Sequence, residues 1–214
     1  MPPLPATNLR SNVTTWAVPA ERLPATAAAL LDALPREAFD PGFLGQGLET
    51  TYFDTPRLAL RRARRPGTRY LTLRLRCYGA GDDGEVYSLS AKTESEKWRQ
   101  EIAPDLADAL LHRPTRALLA ALLPGNLLAR LQQVTGDDPL VPAVTVCCRR
   151  YAVEDDRDRL TLDVGVATDT GKCLPAAILE FKSGDADAPP PGSVEALGLR
   201  PVKLSKFLWA TDWR

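Results

Sequence analysis

Between Arg69 and Gly79 the chain reads Arg-Tyr-Leu-Thr-Leu-Arg-Leu-Arg-Cys-Tyr-Gly. Leu71, Leu73 and Leu75 fall on one parity, and Thr72, Arg74 and Arg76 fall on the other. Successive strand side chains point to opposite faces, so this alternation predicts a half-buried strand that ends at a glycine turn. Its polar face carries two fixed positive charges where an ordinary solvated face mixes signs. The planar fork of arginine suits phosphate and carboxylate oxygens, so a spaced arginine pair on a strand points to an anion site. The competing reading is two arginines on a solvated outer sheet face.

Other segments extend the pattern. Ser11–Val18 is rich in β-branched residues and stops before Pro19, as a first strand would. Ala20–Leu34, with Pro24 in its first turn, predicts a helix stopped by Pro35. Leu48–Asp54 predicts a second strand, and Pro56–Arg65 a short basic helix. The arginine strand is third. Glu85–Thr93 pairs with it through a Gly/Asp loop of hairpin type, and Lys97–Ala103 is a fifth strand. From Pro104 to Val134, Leu and Ala recur at helical spacing, broken by Pro114 and Pro124, which predicts two or three core-facing helices. Strands return at Ala143–Val153, Arg159–Ala167 and Ala176–Lys182, and a short helix begins at Ser193–Leu197.

No repeat, linker or low-complexity segment divides the 214 residues. About eight strands with a helical insertion predict one antiparallel α+β domain, a barrel. The 27 Lys and Arg balance 27 Asp and Glu, so no global basic field recruits nucleic acid or a membrane surface. An anion site must come from local segregation of charge. Four cysteines without a CxxC spacing suit a reduced, cytoplasmic protein. Met1–Asn8 lacks the apolar core of a signal peptide, and no stretch approaches the ~18–20 apolar residues of a membrane span.

Later strands repeat the charge alternation. Arg159, Thr161 and Asp163 alternate with Leu160, Leu162 and Val164; Glu180 and Lys182 alternate with Leu179 and Phe181. A small barrel would put the leucines inside and the charges in solvent. A wide barrel wrapped by helices would put leucines under the helices and charges along a channel. Periodicity alone leaves both open.

With Glu180-Phe181-Lys182 reached, the motif order resembles the VTC-type polyphosphate polymerase domain, a branch of the CYTH or triphosphate tunnel metalloenzyme superfamily. Thr51-Tyr52-Phe53-Asp54-Thr55 is similar to that family's strand-two signature, and Leu73-Arg74-Leu75-Arg76-Cys77-Tyr78-Gly79 to its paired-arginine strand. Ser90-Ala91-Lys92 sits where the family has an acid, a spacer and a lysine. Cys148-Arg149-Arg150 with Ala152 resembles its Tyr-x-Arg strand, and Arg159-Leu160-Thr161-Leu162-Asp163 its Arg-x-Thr-x-Asp strand. Ile178–Lys182 and Arg200–Phe207 complete a set of seven spread over about residues 10–210.

The resemblance implies a single VTC-like tunnel domain over 1–214, with a helical insertion at about 104–135. Its fold would be α+β, an eight-stranded antiparallel β-barrel tunnel wrapped by short helices. It implies that Arg74, Arg76, Lys92, Arg150, Lys182 and Lys206 face a triphosphate or polyphosphate, with Arg99, Arg159 and Lys203 as further members. Glu180 would hold Mn²⁺ or Mg²⁺, which prefer oxygen ligands and retain substrate phosphates. Arg74, Arg76, Lys92 and Glu180 would be the catalytic set. The implied reaction transfers the terminal phosphoryl group of ATP to a polyphosphate chain, without a protein nucleophile. The family works within membrane assemblies in eukaryotes; with no span here, a membrane-protein partner would have to supply product translocation.

The chain departs from the family at Val13 and Thr15, where an acid-x-lysine pair is expected, and at Ser90, where an acid is expected. These departures sustain an alternative, a catalytically degenerate module that binds polyphosphate or nucleotide. A triphosphatase is a third reading, disfavoured because two-metal hydrolysis in other tunnel enzymes relies on several acids. An unrelated barrel that binds nucleic acid is a fourth. His112 reads as structural or solvated. The cluster Arg61, Arg62, Arg64 and Arg65 reads as a solvated helix face, and Trp98, Trp209 and Trp213 as core or lid residues.

Overall fold

The computed structural model describes residues 12–33, 45–64, 70–81, 84–185 and 187–212. Eight strands form an antiparallel sheet: β1 (Asn12–Val18), β2 (Gln46–Asp54), β3 (Thr72–Gly81), β4 (Gly84–Lys92), β5 (Lys97–Ile102), β6 (Val141–Glu154), β7 (Asp158–Thr168) and β8 (Ala177–Ser183). Their hydrogen-bonded order is β1-β8-β7-β6-β2-β3-β4-β5. β1 and β5 are therefore the end strands of an open order, and the closed barrel expected from the sequence is not formed. Alternation determines which residues share a face; it carries no information about whether end strands pair.

Seven α-helices accompany the strands among the described residues: α1 (Leu23–Asp32), α2 (Ala59–Arg62), α3 (Pro104–His112), α4 (Arg116–Leu122), α5 (Gly125–Thr135), α6 (Gly192–Glu195) and α7 (Lys206–Ala210). Each strand lies within two or three residues of its predicted span. The expected helix over 56–65 shrinks to the four residues of α2. Leu58 precedes it in the left-handed region at φ 55°, so helical geometry cannot extend back to Pro56. The expected second and third helices of the insertion separate at Pro114 and Pro124. Thr115 caps α4 by accepting a hydrogen bond from the Leu118 amide at 3.2 Å. Among the described residues, no helix is long and apolar enough to cross a membrane.

The chain divides into two compact units. Among the described residues, the first comprises 49–64, 70–81, 84–146 and 206–212, and the second 12–33, 45–48, 147–185 and 187–205. β2 and β6 each run from one unit into the other.

In the first unit, Leu71, Leu73 and Leu75 are buried with Leu89 and Ala91 of β4. They share a cluster with Ala107 and Leu110 of α3, Leu119 of α4, and Leu127 and Leu131 of α5. The leucine face of β3 thus lies under the helical insertion. Each buried leucine contributes roughly 1.5–3 kcal/mol relative to exposure, which makes the facing of this strand decisive for the unit.

The second unit repeats the arrangement. Leu160, Leu162, Leu179 and Phe181 cluster with Trp16, Val18, Leu30 of α1 and Val194 of α6. The Ser193 hydroxyl donates to the Ala29 carbonyl at 3.1 Å, tying α6 to α1. Beyond β1, Trp16 forms a bridge with Pro201, and the Val202 amide donates to the Thr15 carbonyl at 2.7 Å. The segment after α6 therefore covers an edge that would otherwise present unpaired backbone groups.

Candidate anion-binding site

Helices cover the leucine face in both units, so the charged parity lies on the opposite face in both. The two faces hold their charges differently.

In the first unit, strand register places the polar residues in three rows. Arg74 of β3 is opposite Ser90 of β4, which is opposite Arg99 of β5. Arg76 is opposite Ser88, which is opposite Glu101; Thr72 is opposite Lys92, which is opposite Lys97. Arg74, Arg76, Lys92, Lys97 and Arg99 thus gather on one three-stranded face with a single acid among the row positions. Lys97 was not singled out by the sequence reading. Its signal lies in the Lys97-x-Arg99-x-Glu101 alternation, but six residues give too short a period to fix which face of the sheet they share.

The arginines of this face lean on neutral groups. Arg74 Nε donates to Ser90 Oγ at 3.0 Å, and Arg99 Nε donates to Ser88 Oγ at 2.7 Å. Arg76 Nη1 donates to the Tyr78 hydroxyl at 3.4 Å, and the Arg99 guanidinium stands 5.4 Å from the Tyr78 ring centroid. Ser88 and Ser90 are buried, so their hydroxyls are fixed anchors. Arg76 Nε is also buried and, among the described residues, has no hydrogen-bond partner. Among the described residues, no carboxylate pairs with Arg74, Arg76 or Arg99. Burial lowers the Arg74 pKa to about 10, and the positive charge of Arg76 pushes the same way. The Tyr52 hydroxyl only partly opposes this. Tyr52 is itself held by stacking on Phe207 of α7, with ring centroids 5.0 Å apart.

In the second unit each cation of the polar face has an acid. Arg150, buried to 8% exposure, donates Nε to Asp163 Oδ1 at 2.6 Å and Nη2 to Asp163 Oδ2 at 2.7 Å. Lys182 pairs with Glu180. Arg159 stands 3.2 Å from a Glu154 carboxylate oxygen, in contact but without hydrogen-bond alignment. Arg159 and Lys182 face each other across β7 and β8, as do Thr161 and Glu180. Across β1 and β8, Val13 is opposite Lys182 and Thr15 is opposite Glu180. The two departures from the family pattern therefore lie directly beside the Glu180–Lys182 pair. Glu180 and Lys182 pair along their own strand.

Of the remaining predicted residues, Lys203 is exposed in the second unit, in the segment beyond Pro201. Lys206 is half-buried at the start of α7 in the first. Asp54, within the strand-two signature, has a structural task. Its Oδ1 accepts from the amides of Thr55 at 2.7 Å and Leu60 at 2.8 Å, and its Oδ2 from that of Arg61 at 2.9 Å, capping α2. In the basic cluster, Arg61 reaches Asp212 at 3.5 Å and Arg64 lies 5.0 Å from the Tyr70 ring centroid. Arg65 and Trp213 lie outside the described residues. His112 is exposed, and its ring nitrogen is 3.3 Å from Asp108.

The divalent metal implied by the resemblance finds a poor donor set. Glu180 is engaged by Lys182, and both oxygens of Asp163 are taken by Arg150. Positions 13 and 90 offer no carboxylate. Among the described residues, no three His, Cys, Asp or Glu side chains gather as a metal site.

No protein-family model matches the chain, and no curated protein matches it significantly. Solved structures do. A candidate adenylate cyclase from Bacillus halodurans is similar at a TM-score of 0.63 and 14% identity, over 91% of this chain and 95% of that one. A candidate adenylyl cyclase from Hippeastrum, with a dominant triphosphatase activity, gives 0.52 at 16% identity over 91% and 92%. A candidate adenylate cyclase from Vibrio parahaemolyticus gives 0.52 at 13% identity over 94% and 98%. At such identities the likeness establishes the fold. The chain shares with these proteins an eight-stranded antiparallel sheet accompanied by short helices.

Proposed function

We propose that this chain binds the phosphates of a triphosphate or polyphosphate. The observation that carries the proposal is the first unit's row of Arg74 and Arg99 across buried Ser90, with Arg76 beside it and, among the described residues, no carboxylate paired with any of the three. Gathering such charges costs self-repulsion and desolvation, and a bound polyanion offsets both. The guanidinium forks suit phosphate oxygens better than point cations would. The Hippeastrum structure, a triphosphatase on the same fold, supports the same substrate class.

In its finer form the proposal is a VTC-type polyphosphate polymerase that moves the terminal phosphoryl group of ATP onto a polyphosphate chain. The seven motifs in family order support it. The second reading is a binding module of the same fold without turnover. Val13 and Thr15 opposite Lys182 and Glu180 favour that reading, because the strand-one charges of the family are missing where the register would need them. Two measurements test the reading. Calorimetry with tripolyphosphate should show binding that Arg74→Ala weakens; unchanged affinity sinks the phosphate assignment. Incubation with ATP and Mn²⁺, followed on a gel, separates the two forms. Chain growth lost in Glu180→Ala supports the polymerase, and binding without product supports the module.

A further inference from the structure

We infer that the β3–β4–β5 face of the first unit is a metal-independent receptor for polyphosphate oxygens, with arginine forks carrying the neutralisation that a divalent ion would otherwise share. The inference rests on the phosphate-binding reading above and concerns how that binding is achieved.

Three observations lead to it. First, the anchors of Arg74 and Arg99 are serine hydroxyls, at 3.0 Å and 2.7 Å. A serine fixes a guanidinium in place and leaves its full charge for a ligand; a carboxylate there would cancel it. Ser90 lies between the two arginines in the register, so its neutrality serves both at once. Second, Arg76 Nε is a buried donor without a partner among the described residues, on the same face and one row away. A buried donor left unmade is costly, and an anion oxygen is the group that would complete it. Third, the acids of the second unit's polar face are matched to its own cations, so that face balances itself. Glu101 is the sole carboxylate in the three rows of the first unit, so a divalent ion on this face would depend on substrate phosphates for nearly all of its charged ligands. Desolvation of Arg74 and its repulsion from Arg76 act in the same direction, since both are relieved by negative charge arriving at the face.

The consequence has a definite sign. Divalent ions bind tripolyphosphate in solution and reduce its charge. A site that depends on metal bridging gains from them, whereas a receptor built of arginines loses part of its attraction. Calorimetry of the whole chain with inorganic tripolyphosphate, in chelator and then in Mn²⁺, reads this directly. The expected result is an affinity in chelator equal to or higher than in Mn²⁺, together with a loss of at least about tenfold in Ser90→Glu. Ser90→Gln has nearly the same volume without the charge and should lose much less, which separates neutralisation from overpacking. Should Ser90→Glu fail to fold, Arg99→Gln, at an exposed position, reports on the same row and should lower affinity in chelator. Binding that appears only with Mn²⁺ overturns the inference and leaves the phosphate reading standing. Binding in neither condition overturns both. Equal affinity for Ser90→Glu and Ser90→Gln overturns the assignment to this face.

Discussion

The Arg150 guanidinium and the Asp163 carboxylate meet in a two-point fork on the second unit's polar face, with side chains 9% and 3% exposed. Burial alone would lower the pKa of Arg150, but the hydrogen bonds and charge of Asp163 more than offset this and raise it. The pair is matched internally, so its first role is structural. Removing one partner leaves an uncompensated buried charge, so Asp163→Asn and Arg150→Met should each destabilise the chain by about 3–5 kcal/mol. The double replacement by apolar residues should cost much less than the sum. Urea denaturation of the four proteins checks this; additive losses would show that the fork does not act as a unit.

Arg74 and Arg76 have the opposite circumstance, and their removal should be felt in binding more than in folding. Charge-assisted hydrogen bonds are worth about 1.5–3 kcal/mol each, so Arg74→Gln should weaken tripolyphosphate binding by roughly ten- to a hundredfold. Its stability should stay close to wild type or rise, because a desolvated charge repelled by Arg76 has been removed. A large loss of stability with unchanged binding would show that the arginine serves the fold.

Val13 gives a test of the strand-one departure. It is 41% exposed and directly opposite Lys182. Val13→Glu should create a cross-strand ion pair worth about 0.2–1 kcal/mol and draw Lys182 away from Glu180. A small rise in Tm should follow in low salt and fade in high salt. A Tm that does not respond to salt would argue against the pairing.

Asp54 carries a pH signature. Its burial raises its pKa above the ordinary 3.8, although the amides of Leu60, Arg61 and Thr55 hold it down in part. The folded chain therefore keeps this proton to a higher pH than the unfolded chain does. Asp54 favours folding most below the unfolded value, and that contribution is lost as pH rises through the folded value. Asp54→Asn should remove this dependence and also cost about 1–3 kcal/mol, because its amide nitrogen cannot accept from Arg61 or from Leu60 and Thr55 together. Denaturant midpoints for both proteins from acid to neutral pH would show the difference.

The order of strands and helices was legible in the sequence because each relies on local chemistry. Leu73 and Leu75 alternate with Arg74 and Arg76 over four residues, and Pro114 and Pro124 end helices wherever the chain goes next. The segregation of charge onto one parity was legible for the same reason. Which parity lay under helices was not, because that depends on Leu110, Leu119 and Leu127 arriving from distant positions to cover β3. The partners of the charges were equally hidden. Arg74 and Arg150 look alike in sequence, each a strand arginine on a polar face. Only tertiary register sets one beside Ser90 and the other against Asp163, leaving the first with charge to offer a ligand and the second with its charge already matched.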